Sequence, residues 1–368
     1  MKVYLGRDLR TGKKKYKSKT FRGTKREAQI ALAEFVTDTL GRNRITTAGT
    51  VGHLLDKYVQ ALDDAGRKAS TMAGYQSIAR SVASDTLSKV PLADLGPEHL
   101  DDYYARLRRR GCDDQTVLNH HRLLFGSLRQ GVKWRMLRWN PGEQVVKINV
   151  VRTPIDPPTT DTALDLVDEG ARSRNPDLAI AEYLLIATGG RRGEICALRR
   201  TDLKGNRLKV SRSLVQVAGK PPTEEPTKSH QQRTVLLDPD TLELIHAHIA
   251  ECERRAAFFD AVLRPNAFIL CDQRTDAGAD GSIPWRPNRL TQAHARLRLR
   301  VGSEARLHDL RHHTASVLAD AGEGIPAIAA RLGNHPETAA RRYAHLVGGA
   351  QERAAEIMGD RLRRARPR

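Results

Sequence analysis

Four short clusters in the second half of the chain carry residues whose types and spacing could do chemistry. The first is Thr188-Gly189-Gly190-Arg191-Arg192-Gly193-Glu194, directly after the apolar helical segment Ala179 to Ala187. Paired glycines let the backbone turn tightly at a helix junction and present an arginine to a ligand. The second is Lys228, in Pro226-Thr227-Lys228-Ser229, just ahead of the strand-like Arg233-Thr234-Val235-Leu236-Leu237. The third is His308-Asp309-Leu310-Arg311-His312 at a helix start, where residues i and i+3 share a face, so His308 and Arg311 can converge on one phosphate. The fourth is Tyr343, in Arg341-Arg342-Tyr343-Ala344-His345, after Leu332-Gly333-Asn334-His335. Taken singly, each has a plain structural reading: a solvated helix break, a hairpin-tip lysine, surface polarity, amphipathic packing. Together they are what breaking a phosphodiester without a metal requires.

The elements that must position these groups follow from pattern. The expected fold class is mainly α with small β elements, in several domains. Val3 to Gly6 and Lys15 to Phe21 read as two strands, followed by a helix from Lys25 to Leu40, a β-β-α module over 1–46. Alternation would put Lys15, Lys17 and Lys19 on one face, suited to tracking a phosphate backbone or to blunting a solvated edge. Residues 47–148 read as helical: Val51, Leu55, Tyr58, Val59 and Leu62 form one stripe, and Met72, Tyr75, Ile78 and Val82 a second after the cap candidate Ser70. Pro97 and Gly111 bracket a third helix, and a fourth starts at Asp114. A proline-bearing linker spans 149–158. A mixed α+β domain over 159–350 and a C-terminal helix with a basic tail over 351–368 complete the expected order.

Composition narrows the partner. Lys plus Arg number 62 against 43 acids, a formal charge of +19 with a pI near 10.1, which favours a polyanion over a neutral ligand. Residues 1–44 alone hold 13 basic and 4 acidic residues. Cys112, Cys196, Cys252 and Cys271 form no C-x-x-C pair, so neither a zinc knuckle nor a disulfide framework is suggested. His120 with His121, and His246 with His248, diverge on a helix, so no metal is expected. There is no phosphate-cradling Gly-x-x-x-x-Gly-Lys-Ser/Thr loop and no carboxylate cluster for Mg²⁺. No apolar run approaches the roughly 20 residues that span a bilayer, and no signal core opens the chain, so a cytoplasmic, nucleoid-associated protein of a bacterial host is expected.

In order and spacing, the arginine box, the hairpin lysine, the H-x-x-R box and the terminal tyrosine resemble the tyrosine recombinase, or phage integrase, family. The resemblance covers nearly the whole chain. It implies an arm-site DNA-binding module, a helical core-binding domain and a catalytic domain. Residue by residue, it implies that Arg191 and Arg311 bind the scissile phosphate, Lys228 is the general acid, His308 assists proton transfer and Tyr343 is the nucleophile, with Glu194 supporting Arg191. Its implied partners are double-stranded DNA at core and arm sites, a homo-tetramer assembled on that DNA, and accessory bending or directionality proteins. One position departs: where the family usually carries His or Trp after the Leu-Gly pair, this chain has Asn334. That side chain can still donate an amide hydrogen bond, and His335 follows one place later.

The chemistry suits these types. A tyrosine hydroxyl has a pKa of about 10, so roughly one in a thousand is ionised near neutrality. Arginine forks can stabilise charge building on a phosphorane-like transition state. A lysine can protonate the departing 5′ oxygen. Attack by Tyr343 would leave a 3′-phosphotyrosyl bond and conserve its energy for rejoining, with no cofactor. Two other outcomes stay open: strand relaxation like that of a type IB topoisomerase, which a two-site recombination assay separates, and a non-catalytic DNA-binding regulator derived from an integrase.

Overall fold

The computed structural model describes residues 2–7, 14–40, 49–151, 156–175, 177–217, 219–227, 232–344 and 350–365. The chain divides into two compact units, Met1–Arg152 and Thr153–Arg368. The division falls within the expected 149–158 linker, of which residues 152–155 lie outside the described residues.

The first unit opens with β1 (Lys2–Arg7) and β2 (Lys14–Ser18), antiparallel with Tyr4 opposite Tyr16, then α1 (Lys25–Leu40). Thr24 and Glu27 cap α1 reciprocally, the Thr24 amide and hydroxyl donating to Glu27 at 2.8 and 2.9 Å. The expected lysine face is altered here. β2 ends at Ser18, so the exposed Lys19 falls outside the alternation, and the half-buried Lys17 puts its ammonium 5.9 Å from the ring of Phe35 on α1. The side chain of Lys15 lies outside the described residues.

Next come α2 (Val51–Asp64), α3 (Ala69–Ala83), α4 (Pro97–Arg109) and α5 (Asp114–Lys133), packed on one core that includes Leu54, Leu55, Leu100, Tyr103, Leu124 and Leu128. Thr50 and Asp113 cap α2 and α5, and Pro97 opens α4 at the position where its missing amide costs nothing. The cap of α3 is Lys68, not Ser70: the chain leaves α2 through Gly66 at φ +72° and is already helical at Ala69. His120 and His121 take separate tyrosines, Tyr103 at 2.8 Å and Tyr104 at 3.1 Å. Asp85, almost fully buried, holds Arg106 at 2.6 Å and Arg110 at 3.1 Å and so ties the α3–α4 connection to the end of α4.

The second unit runs α6 (Thr160–Ala171), α7 (Asp177–Thr188), α8 (Arg192–Cys196), β3 (Leu203–Lys204), β4 (Arg207–Val210), β5 (Arg212–Val215), β6 (Thr223–Pro226), β7 (Arg233–Leu236), α9 (Pro239–Phe258), α10 (Pro287–Val301), α11 (Asp309–Asp320), α12 (Ile325–Leu332), α13 (Pro336–Tyr343) and α14 (Ala350–Ala365). The sheets are small and antiparallel, β3-β4-β7 and β5-β6. The stretch from 207 to 217 breaks at Ser211 between β4 and β5, which belong to different sheets. Helix α7 is apolar around nearly its whole circumference, which a helix can be only when surrounded, and it packs against α6, α8, α9 and α11. A second cluster, Ala315, Ala319, Ile328, Ala329, Leu332, Ala339 and Tyr343, joins α11, α12 and α13. Among the described residues no helix is long and apolar enough to cross a membrane.

Candidate active site

The arginine box forms where α7 ends. Thr188 turns its hydroxyl back to Leu184 O at 2.6 Å and accepts the Gly190 amide at 3.0 Å. Gly189 adopts φ +59°, a left-handed conformation that costs glycine little. Arg191 then caps α8, its amide donating to Glu194 Oε2 at 3.0 Å and its guanidinium to Oε1 at 2.7 Å.

Arg311 arrives from the first turn of α11 and is 2% exposed, an unusual burial for a cation. It donates to Gly189 O at 2.5 Å and to Asn334 Oδ1 at 2.8 Å. Arg191 donates to the same Asn334 oxygen at 2.9 Å. Two guanidinium groups thus converge on one neutral oxygen. Asn334 was expected to donate; it accepts, because both neighbours are obligate donors and only the amide oxygen can face them. His335 caps α13 and is exposed, so the helix start carries it away from the arginines. Lys228 lies outside the described residues.

The site holds a residue that local pattern did not single out. Arg233, at the start of β7, donates to Glu194 Oε2 at 2.9 Å. Burial alone would raise Glu194, but Arg233 and then Arg191 outweigh it and hold the carboxyl below its usual range. Arg191 and Arg233 share the Glu194 carboxylate, and Arg311 senses that carboxylate only through space, which leaves an excess of positive charge. Arg311 feels it: burial first, then Arg191, pulls its pKa down to about 9.

Tyr343 ends α13 with 1% exposure. Its hydroxyl pairs with Nδ1 of His312 at 3.0 Å, and the His312 ring meets that of His308 edge-on with centroids 5.0 Å apart. Burial raises the phenol, while Arg311 and Arg342 favour its ionised form without overcoming that effect. His312 is pushed down to about 4 by burial, then by His308 and Arg342. His308 is driven the same way by desolvation and by Arg311, Arg342 and Arg191. Both imidazoles are therefore neutral near pH 7. His312 stands in the quoted H-x-x-R-H cluster, yet only its place beside α13 reveals the contact.

Guanidinium forks around an anion-sized position, with a buried phenol and neutral imidazoles beside it, make a catalytic domain of the tyrosine recombinase class. The Phage integrase family model matches residues 160–348, just over half of the chain, and the chain belongs to that family. Its activity is site-specific DNA recombination.

The integrase of Mycobacterium phage L5 is 27% identical over 184 residues, 49% of this chain and 46% of that protein, so less than half of that relative is spanned. The integrase of Mycobacterium phage FRAT1 is 23% identical over 321 residues, 85% of this chain and 89% of that protein. Among solved structures, the Tn1549 transposon integrase in complex with transposon right end DNA superposes with a TM-score of 0.69 at 18% identity, covering 84% of this chain and 99% of that one. A lambda integrase dimer bound to a COC′ core site gives 0.60 at 18% identity, covering 91% and 90%. A lambda integrase tetramer bound to a Holliday junction gives 0.58 at 18% identity, covering 89% and 88%. At these identities the structures establish a shared fold, mainly helical with small antiparallel sheets.

Proposed function

We propose that this chain integrates and excises a prophage or related element by cutting each DNA strand with Tyr343, holding it as a 3′-phosphotyrosyl ester and rejoining it to a new partner. The observation that carries this reading is the convergence of Arg191 and Arg311 on one oxygen, at 2.9 and 2.8 Å, beside a buried tyrosine. A scissile phosphate displacing Asn334 Oδ1 would meet two forks already aimed, and charge growing on its oxygens would strengthen those contacts in the transition state. Glu194 and Arg233 fix the Arg191 fork, His308 faces the phosphate from the start of α11, and Lys228 protonates the leaving 5′ oxygen. Asn334 positions the two arginines; His335 has no part in the reaction.

The same reading assigns 1–46 to arm sites, 47–148 to the core site, 149–158 to a linker, 159–350 to catalysis and 351–368 to assembly. Lys15, Lys17 and Lys19 serve the arm module through its basic charge. Assembly into a tetramer on DNA is supported by α14, where Ile357, Met358 and Leu362 are 62%, 58% and 62% exposed, an apolar stripe suited to a neighbouring subunit. The substrate is double-stranded DNA in the host cytoplasm, with bending or directionality proteins as accessory partners.

The test is a nicked suicide duplex carrying the attachment core. Wild-type protein is expected to form a denaturation-resistant adduct, Tyr343→Phe none, and deletion of residues 1–46 to spare the adduct while impairing full integration. An adduct that persists in Tyr343→Phe refutes the choice of nucleophile.

A further inference from the structure

The arginines that would hold the phosphate do not explain how Tyr343 loses its proton. Both are obligate donors, and a buried phenol is raised, so the site needs a neutral acceptor within reach of the hydroxyl. We propose that His312 is that acceptor, a further catalytic residue that takes the phenolic proton on Nδ1 as Tyr343 attacks phosphorus; this rests on Tyr343 being the nucleophile.

Geometry carries the assignment. The hydroxyl and Nδ1 stand 3.0 Å apart, within the range for direct proton transfer. His312 is 5% and Tyr343 1% exposed, so bulk water does not compete for this proton. The phenol O–H donates to Nδ1 only when the imidazole carries its own proton on Nε2, and a neutral ring allows that tautomer. His308, the histidine of the H-x-x-R pattern, lies behind His312, edge-on to it, and is left to serve the phosphate and the leaving group.

The surroundings make the base responsive to substrate. The charged or titratable groups facing His312 are His308, Asp309 and Arg311 on its own helix, and Arg342 with Tyr343 from α13. Asp309 supports the protonated ring, but burial and the cations prevail and keep His312 neutral in the absence of DNA. A phosphate seated between Arg191 and Arg311 brings negative charge that offsets those cations. The imidazole then becomes a stronger base when there is a phosphorus to attack, and the phenol is not ionised idly beforehand.

The step balances without any co-reactant. The Tyr343 O–H bond breaks and its proton moves to His312 Nδ1; the phenolic oxygen bonds to phosphorus; the bond from phosphorus to the 5′ oxygen breaks, and that oxygen takes a proton from Lys228. In rejoining, the 5′ hydroxyl attacks, Tyr343 departs, and His312 returns the proton to it.

The experiment uses the full chain and two nicked suicide duplexes, one with a normal scissile phosphate and one with sulfur in place of the bridging 5′ oxygen. Sulfur leaves without a proton, so the second duplex bypasses the general acid. His312→Ala and His312→Asn are expected to slow adduct formation about 100-fold or more on both duplexes, with DNA affinity retained, and to lose the acidic limb of the pH–rate profile. Added imidazole is expected to restore part of the His312→Ala rate. The asparagine variant keeps an acceptor oxygen for the phenol, so it holds the packing if alanine does not, yet it cannot take a proton. A His312→Asn rate and profile equal to wild type, or recovery of either variant on the sulfur duplex, overturns the proposal. Neither result touches the nucleophile, which the Tyr343→Phe adduct assay tests separately.

Discussion

The guanidinium of Arg233 donates to the carboxylate of Glu194 at 2.9 Å, with the two side chains 6% and 1% exposed. This pair joins the first residue of β7 to the arginine box, and the same carboxylate also holds Arg191 at 2.7 Å. The sheet thus has a direct hand in aiming Arg191, the residue proposed to bind phosphate.

Removing Arg233 leaves a buried carboxylate with one cation in place of two. Breaking a buried pair from one side costs about 3–5 kcal/mol. Because Arg191 remains, Arg233→Ala is expected at about 3 kcal/mol, the lower end, in urea unfolding. Cleavage should fall further than DNA binding, since Arg191 is misaimed while the long-range charge changes little. A loss of stability below about 1 kcal/mol would mean that water or Arg191 already satisfies Glu194.

Asn334→Asp separates stability from catalysis. A carboxylate at this position would receive both guanidiniums as charge-assisted bonds, so the folded protein is expected to gain about 1–2 kcal/mol near neutral pH. The new acid would be held below its usual pKa, so this gain is present above the ordinary carboxylate range and is lost as pH falls through the folded value. Adduct formation should nevertheless drop at least about 100-fold, because a fixed anion occupies the phosphate's place. Unfolding curves and the suicide-substrate assay on one preparation check both signs; a variant that is less stable and fully active contradicts the arrangement.

Much of this architecture was legible before any coordinates. The Lys25–Leu40 helix, the Pro97 start and the four chemical clusters depend on local turn chemistry and spacing, which a linear chain displays directly. The role of Arg233 was not legible, because inward alternation in a strand predicts an apolar residue, and the carboxylate that permits a buried arginine lies on another element. Helix α12 is eight residues long and closes on Gly333 at φ +64°, too short to display a repeating stripe. The choice between Asn334 and His335 turned on one residue of register at the start of α13, and adjacent positions there point in different directions. The His312 contact likewise depends on how α13 packs against α11.

Glu182 on α7 and His294 on α10 form a second buried pair, 0% and 2% exposed and 3.0 Å apart, outside the four clusters. Burial raises Glu182 although His294 opposes it; Glu182 in turn raises His294 against burial. Both shifts mean that the folded chain holds a proton here more tightly than the unfolded one, so this contribution is full at low pH and declines as pH rises through the folded values. Replacing the acid with Glu182→Gln removes the group that raises His294 and leaves burial and Arg298 to depress it against the Ala305 carbonyl, so its contribution should instead grow as pH rises through about 6.5. Subtracting the two unfolding free-energy curves between about pH 6 and 9 isolates the pair. A flat difference would show that no proton is shared at this site.

The tightest steric demand in the site falls on Gly189. Its φ of +59° disfavours any side chain, and a Cβ built there would stand 2.3 Å from Leu332 Cδ2 on α12. Its carbonyl also receives Arg311 at 2.5 Å, so a shift of this peptide moves the guanidinium proposed to bind phosphate. Left-handed strain on alanine costs on the order of 1 kcal/mol. Displacing a packed leucine adds about 1–3 kcal/mol more. Gly189→Ala is therefore expected to lose about 2–4 kcal/mol in urea unfolding, with adduct formation reduced by more than the folded fraction accounts for. The compensating double variant Gly189→Ala with Leu332→Ala relieves the clash but not the backbone strain. It should recover little stability, because it trades overpacking for a cavity, yet it should return Arg311 toward its place and restore part of the cleavage rate. Full recovery of both would assign the whole effect to the leucine; recovery of neither would place the damage in the peptide that Arg311 grips.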